Sequence, residues 1–182
     1  MSEYSASLHF WHAEPADVRR AVTAQQAAGR IVAANDQWLC FVPFDPLDEQ
    51  KIIPHSKGLV LKWTYYDDYA LNLEFFYDGE RLDQASFIWG VELAGHPPAA
   101  SVPPQLASKL RGMGLAASVD QLESLAPEVV TGVLASQEVR DGAARALGLA
   151  AHEWLSPQTC LGMPLDEFRE GFPQAEDIDY PA

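Results

Sequence analysis

Apolar and polar residues alternate in three runs between residues 59 and 91. Leu59, Leu61, Trp63 and Tyr65 share one parity in the first run, and Leu71, Leu73, Phe75 and Tyr77 in the second. Ala85, Phe87, Trp89 and Val91 do so in the third. Period-two alternation marks strands with one buried face. Residues 59–66, 70–77 and 82–91 are therefore read as an antiparallel β-meander, the scaffold of the chain. The odd-numbered positions are the apolar ones in all three runs, and a one-residue slip would turn a whole apolar face to water. Odd positions should then pair with odd ones, with Tyr65 opposite Leu71 and Lys62 opposite Glu74. Between the second and third runs, Asp78-Gly79 alone suggests a two-residue turn. That turn would put Tyr77 opposite Glu80 and mix the parities, so a longer loop through Arg81 is expected instead.

Upstream, the pattern predicts strands around one helix. Residues 5–12, with Leu8, Phe10 and Trp11, read as a strand. Pro15 and Asp17 open a helix, because proline is tolerated in the first turn and an acid complements the N-terminal dipole. It is expected to reach about residue 28 and to be capped by Gly29. Residues 30–34 and 37–44 form a hairpin turning at Asn35-Asp36. The stretch Trp38–Pro43 is apolar at both parities, which marks a strand covered on both faces. Residues 1–95 thus form one α+β unit.

Two Pro-Pro pairs between residues 95 and 104 make 96–104 an extended, Pro-rich linker. Residues 105–182 read as an array of short helices, which need each other or the sheet for stability. One starts at Pro103 or Pro104 and ends near Met113. Ser118 with Gln121 resembles a capping box that opens a second. Pro127 should start a third, and Ser136 a fourth that ends at Gly148. Short helical turns are expected at 151–155 and 164–169, and a loose acidic end at 176–182. The fold class is α+β: a mainly antiparallel sheet followed by a C-terminal array of short helices.

Composition adds one constraint. With 12 Lys and Arg against 26 Asp and Glu, the net charge is −14. Such a surface repels phosphate backbones, so no nucleic-acid partner is expected. It suits solubility, or attraction to a basic protein. The hydrophobic share of 48% is enough for a core. Cys40 and Cys160 lack zinc or redox spacing and make no disulfide framework, which points to a reducing compartment. The start has no signal-peptide pattern, and no apolar run approaches ~18 residues. The expected location is the cytoplasm, away from membranes.

Candidate chemistry is sparse. His9 and His12 would point to opposite faces of a strand, a poor chelating geometry. His152-Glu153 lacks the second histidine of HExxH, and the nucleophile-elbow, Walker and Rossmann patterns are missing. Neither cysteine has a histidine close in sequence. No metal and no cofactor is expected. Asp67, Asp68, Asp78 and Glu80 read as turn residues. The favoured reading is a non-catalytic interaction module that binds a basic protein, as an immunity- or inhibitor-type neutraliser does. Its expected surface is the even-numbered face of the meander: Lys62, Tyr66, Glu74, Phe76, Gln84 and Ile88. The alternative is an enzyme or small-ligand binder with a site between sheet and helices, using His96, His152 and Glu153.

Overall fold

The computed structural model describes residues 4–44, 49–66, 70–89, 98–115, 120–130, 136–149 and 157–179. The chain is α+β. Among the described residues the strands are β1 (Tyr4–Trp11), β2 (Gly29–Ala33), β3 (Trp38–Pro43), β4 (Leu59–Tyr66), β5 (Ala70–Tyr77), β6 (Glu80–Ile88), β7 (Ala99–Ser101) and β8 (Glu176–Ile178). They form an eight-stranded sheet in the order β7-β6-β5-β4-β1-β3-β2-β8. The pairs β1–β3, β2–β3, β2–β8 and β6–β7 are antiparallel. The helices are α1 (Pro15–Ala24), α2 (Glu49–Ile52), α3 (Leu106–Gly112), α4 (Gln121–Val130), α5 (Ser136–Leu147), α6 (Pro157–Gly162) and α7 (Leu165–Gly171). A 3-10 turn, Ile53–His55, follows α2.

The chain clusters into two compact units. One comprises Ser5–Trp63, Phe75–Leu82 and Ala151–Ala182. The other comprises Met1–Tyr4, Thr64–Glu74 and Asp83–Ala150.

In the first unit the sheet is covered on both faces. Leu8 lies opposite Phe41 and Phe10 opposite Leu39, so these four share a face. They pack with Val18, Ala21 and Val22 of α1, with Ile31, and with Ile52 and Ile53. The alternate residues Val32, Cys40 and Val42 pack with Cys160 of α6 and Phe168 of α7. This explains why β3 is apolar at both parities: it lies between β1 and β2, under a layer on each side.

Helix α1 ends at Ala24, earlier than its pattern suggests. Gln26 adopts φ +55°, and the N–H of Ala27 bonds the carbonyl of Val22. The helix is thus closed by a left-handed residue three positions before Gly29. Gly29 instead opens β2, where a Cβ would lie 2.4 Å from the Val42 carbonyl oxygen and 2.5 Å from the Phe41 ring.

The β5–β6 connection overturns the longer loop expected from parity. Only Asp78 and Gly79 separate the strands, with φ +50° and +83°, the left-handed pair of a two-residue hairpin turn. Tertiary contacts fix it. Asp78 exchanges hydrogen bonds with Gly58, and a Cβ on Gly79 would sit 3.0 Å from Pro54. Odd-to-odd pairing requires unbroken alternation along β6. Leu82, Asp83 and Gln84 are instead half-buried in succession before Ala85 and Phe87 are buried.

The acidic end is likewise ordered where it was expected to be loose. Glu176–Ile178 pairs with β2, placing Asp177 opposite Arg30. Arg30 is 3% exposed. Its Nε and Nη2 donate to the two Asp177 oxygens at 2.6 and 3.0 Å. Its Nη1 donates to the Met163 carbonyl at 3.2 Å, and its guanidinium lies 4.6 Å from the centre of the Phe168 ring. Arg19 adds an exposed pair with Glu176.

In the second unit, α3, α4 and α5 bury Leu106, Leu110, Leu122, Val129, Val139 and Leu147. Helix α4 runs through Pro127, where the sequence suggested a new start; the cost is the hydrogen bond that a proline cannot donate to residue 123. Gly142 allows the close approach of α4 and α5, since its Cβ would lie 2.8 Å from Leu125. Residues 99–101, read as linker, are strand β7 on the edge beside β6. Lys109 pairs with Asp83 at 2.8 Å, and Arg140 lies 5.5 Å from the centre of the Tyr65 ring.

Removing one partner of a buried pair leaves a charge uncompensated. Asp177 is 26% exposed, so water would relieve part of the loss, and Asp177→Ala should cost about 3 kcal/mol, the low end for such a break. Urea denaturation of the variant measures it. A loss near zero would show that Arg30 does not depend on β8.

Candidate functional site

The first unit holds an open groove of about 960 Å3 at the end of the sheet where β1 stops and β2 turns into β3. Residues 12–15, 33–39 and 163–174 contribute its walls. Each wall has a local cause. His12 takes φ +50° directly after β1, and its N–H donates to the Gln37 carbonyl at 2.8 Å, which bends the chain toward α1. The β2–β3 turn is held by Asn35, whose Oδ1 accepts the N–H groups of Gln37 and Trp38 at 2.9 and 2.8 Å. This is the turn-forming habit of asparagine. On the far side, Phe168 and Phe172 lie one helical turn apart and stack with centroids 4.9 Å apart and planes 22° apart. Phe168 is buried and Phe172 half-buried.

The charge of this groove has one sign. Glu14, Asp36, Glu167 and Glu170 line it, and among the described residues no lysine or arginine does. All four are exposed. None makes an ion pair among the described residues, whereas nearby Asp17, Asp166, Glu176 and Asp177 pair with Arg20, Arg169, Arg19 and Arg30. The floor is apolar, with Trp38, Leu39, Phe168 and Phe172. Such an arrangement can hold a cation with apolar or planar parts. Among the described residues that line it there is no serine, threonine or cysteine nucleophile.

A second groove of about 620 Å3 lies on the other side of residues 12–14. Phe10, Trp11, Val18 and Ala21 give it an apolar side. Its charges are mixed: Arg20 with its partner Asp17, then Glu14 and Lys57, with His12 and His55 also in its lining.

The structure also assembles a polar chain that sequence separation hid. Cys40 Sγ lies 2.6 Å from His9 Nδ1, and His9 Nε2 lies 2.8 Å from Ser7 Oγ. Thiol, imidazole and hydroxyl in line resemble the parts of a nucleophilic site. Their setting opposes that role. All three residues are buried, at most 2% exposed, and none lines either groove. Burial pushes the Cys40 thiol well above its ordinary range, with Cys160 nearby adding to the effect. Burial likewise raises Cys160 from 9.0 to about 12; Arg30 works against this and Asp177 with it. Both sulfurs are therefore neutral thiols at neutral pH, not nucleophilic thiolates.

The residues singled out in the sequence lie elsewhere. Lys62, Tyr66, Glu74, Phe76, Gln84 and Ile88 are all half-buried, and none lines either groove. Phe76 packs against the α1 core cluster. His96, His152 and Glu153 lie outside the described residues, as do Asp67 and Asp68. Among the described residues no group of three or more His, Cys, Asp and Glu could hold a metal ion, and no helix is long and apolar enough to cross a membrane. The groove carboxylates went unread because they come from three distant segments. One signal was available: six acids against one arginine between residues 166 and 179.

Compared with protein-family models, curated proteins and solved structures, the chain matches none of them.

The thiol environment gives a pH dependence with a definite sign. A raised folded-state thiol pKa leaves stability intact below the unfolded value and removes it as pH rises above 9.0 toward about 12. Stability should therefore drop between about pH 8 and about pH 10.5 by more in the native chain than in Cys160→Ala. Equal drops would sink the prediction. A disulfide-exchange thiol reagent should label neither cysteine at pH 8 until denaturant is added.

Proposed function

We propose that this protein is a non-catalytic interaction module whose partner is a basic protein, taken through the acidic groove beside α7. One observation carries the reading: Glu14, Asp36, Glu167 and Glu170 line the groove without ion-pair partners among the described residues, and no lysine or arginine there offsets them. Four carboxylates above an apolar floor attract cations and gain by pairing with them. They also steer a basic partner from a distance. An immunity- or inhibitor-type neutraliser of a basic protein is one physical form of such a module. The half-buried even face of the meander supports the reading less well, because its residues already contribute to packing, as Phe76 does.

The test is titration of the native chain with a short peptide rich in lysine and arginine, against a charge-matched acidic peptide. The comparison variant carries Glu14→Gln, Asp36→Asn, Glu167→Gln and Glu170→Gln. Exposed pairs contribute about 0.5 kcal/mol each. Losing four should cost about 2 kcal/mol, near 30-fold in Kd. Affinity should fall steeply with added salt. Equal binding by the neutralised variant, or no preference for the basic peptide, would refute the assignment.

A further inference from the structure

We infer that the groove recognises arginine in particular: its ligand is an arginine-bearing segment of the basic partner, with one guanidinium stacked on Phe172 and bonded to Glu167 or Glu170. This rests on the basic-partner reading and deepens it.

The chain already contains the recognition chemistry once. Arg30 lies over the Phe168 ring at 4.6 Å while the two oxygens of Asp177 accept its N–H groups at 2.6 and 3.0 Å. Phe172 stacks on Phe168 with centroids 4.9 Å apart. Arg30, Phe168 and Phe172 therefore form a short stack of π-surfaces. Phe172 is half-buried and lines the groove. Phe168 takes one of its faces. Glu167 and Glu170 stand three residues apart on α7, neighbours on one helix face, and both line the same groove. The groove thus offers on its surface the two kinds of group that hold Arg30 inside the chain, an aromatic ring and a carboxylate.

Guanidinium and ammonium differ here. A guanidinium is planar, so it stacks on a ring while its N–H fork bonds a carboxylate with two parallel hydrogen bonds. An ammonium is a strongly hydrated point charge, with carboxylate attraction but no stacking. Through that fork the carboxylates alone favour arginine, and the Phe172 ring adds a stacking surface that an ammonium cannot use as fully.

The experiment compares two probes on the full native chain: a nine-residue Gly/Ser peptide with three arginines, and the same peptide with three lysines. The arginine peptide should bind about three- to tenfold more tightly, the scale of one cation–π contact. Phe172→Leu keeps apolar volume and removes the ring. It should cut the difference to about twofold or less while lowering lysine-peptide affinity by no more than about threefold. Phe172→Tyr, which keeps a ring, should retain the preference, and it serves if the leucine variant fails to fold. Equal affinity of both peptides for the native chain overturns the arginine assignment and leaves the basic-partner reading standing. A preference that Phe172→Leu leaves undiminished also overturns it. Binding of neither peptide overturns both readings.

Discussion

A guanidinium that is 3% exposed is a demand placed on the rest of the chain. Taking such a charge out of water costs several kcal/mol unless the surroundings replace its hydration. Arg30 recovers that hydration from residues 133 to 147 positions later: the Met163 carbonyl and the Asp177 carboxylate. The Phe168 ring completes the shell. The pair need not add net stability, since buried ion pairs often do little better than apolar substitutes of similar volume. What it does is penalise every placement of residues 163–177 that leaves Arg30 unpaired. One buried cation thereby fixes the last strand on β2 and sets α7 over the Val32–Cys40–Val42 face.

The groove follows from that placement. The segment 166–179 holds Asp166, Glu167, Glu170, Glu176, Asp177 and Asp179 against Arg169 alone. Arg30 and Arg19 neutralise Asp177 and Glu176, and Arg169 approaches Asp166 at 3.9 Å. Glu167 and Glu170 are left facing Glu14 and Asp36 across an apolar floor. The net charge of −14 thus has local structure. Part of it is spent on internal pairs, and part is gathered, unpaired, in one concavity.

Much of the fold was legible because it rests on local pattern. The runs 59–66 and 70–77 are strands with the expected ends, and the hairpin of β2 and β3 turns at Asn35. The unread parts depend on partners distant in sequence. No periodicity reveals that Glu176–Ile178 is a strand, because its pairing is decided by Arg30 and Arg19 on other elements. The Asp78-Gly79 turn was misjudged for a related reason. Local chemistry favoured two residues, and the assumption of unbroken parity overrode it, although β6 gives up strict burial alternation near Asp83. The candidate site was least legible of all. It joins residues 12–15, 33–39 and 163–174, and none of these segments carries a motif.

The molecule keeps its reactive side chains and its exposed charges apart. Cys40, His9 and Ser7 are in hydrogen-bond sequence, yet burial holds the sulfur protonated and away from both grooves. A nucleophile needs ionisation and access, and burial opposes both. In the core the same contacts have another use, since a buried imidazole needs partners for both nitrogens and obtains them from Ser7 and Cys40. The groove has the opposite character. Its carboxylates are exposed and able to change partners, and its one imidazole, His12, lies with its ring 4.5 Å from the Trp11 ring. Exposed negative charge over an apolar floor is suited to holding a cation, which supports the recognition proposed for the groove.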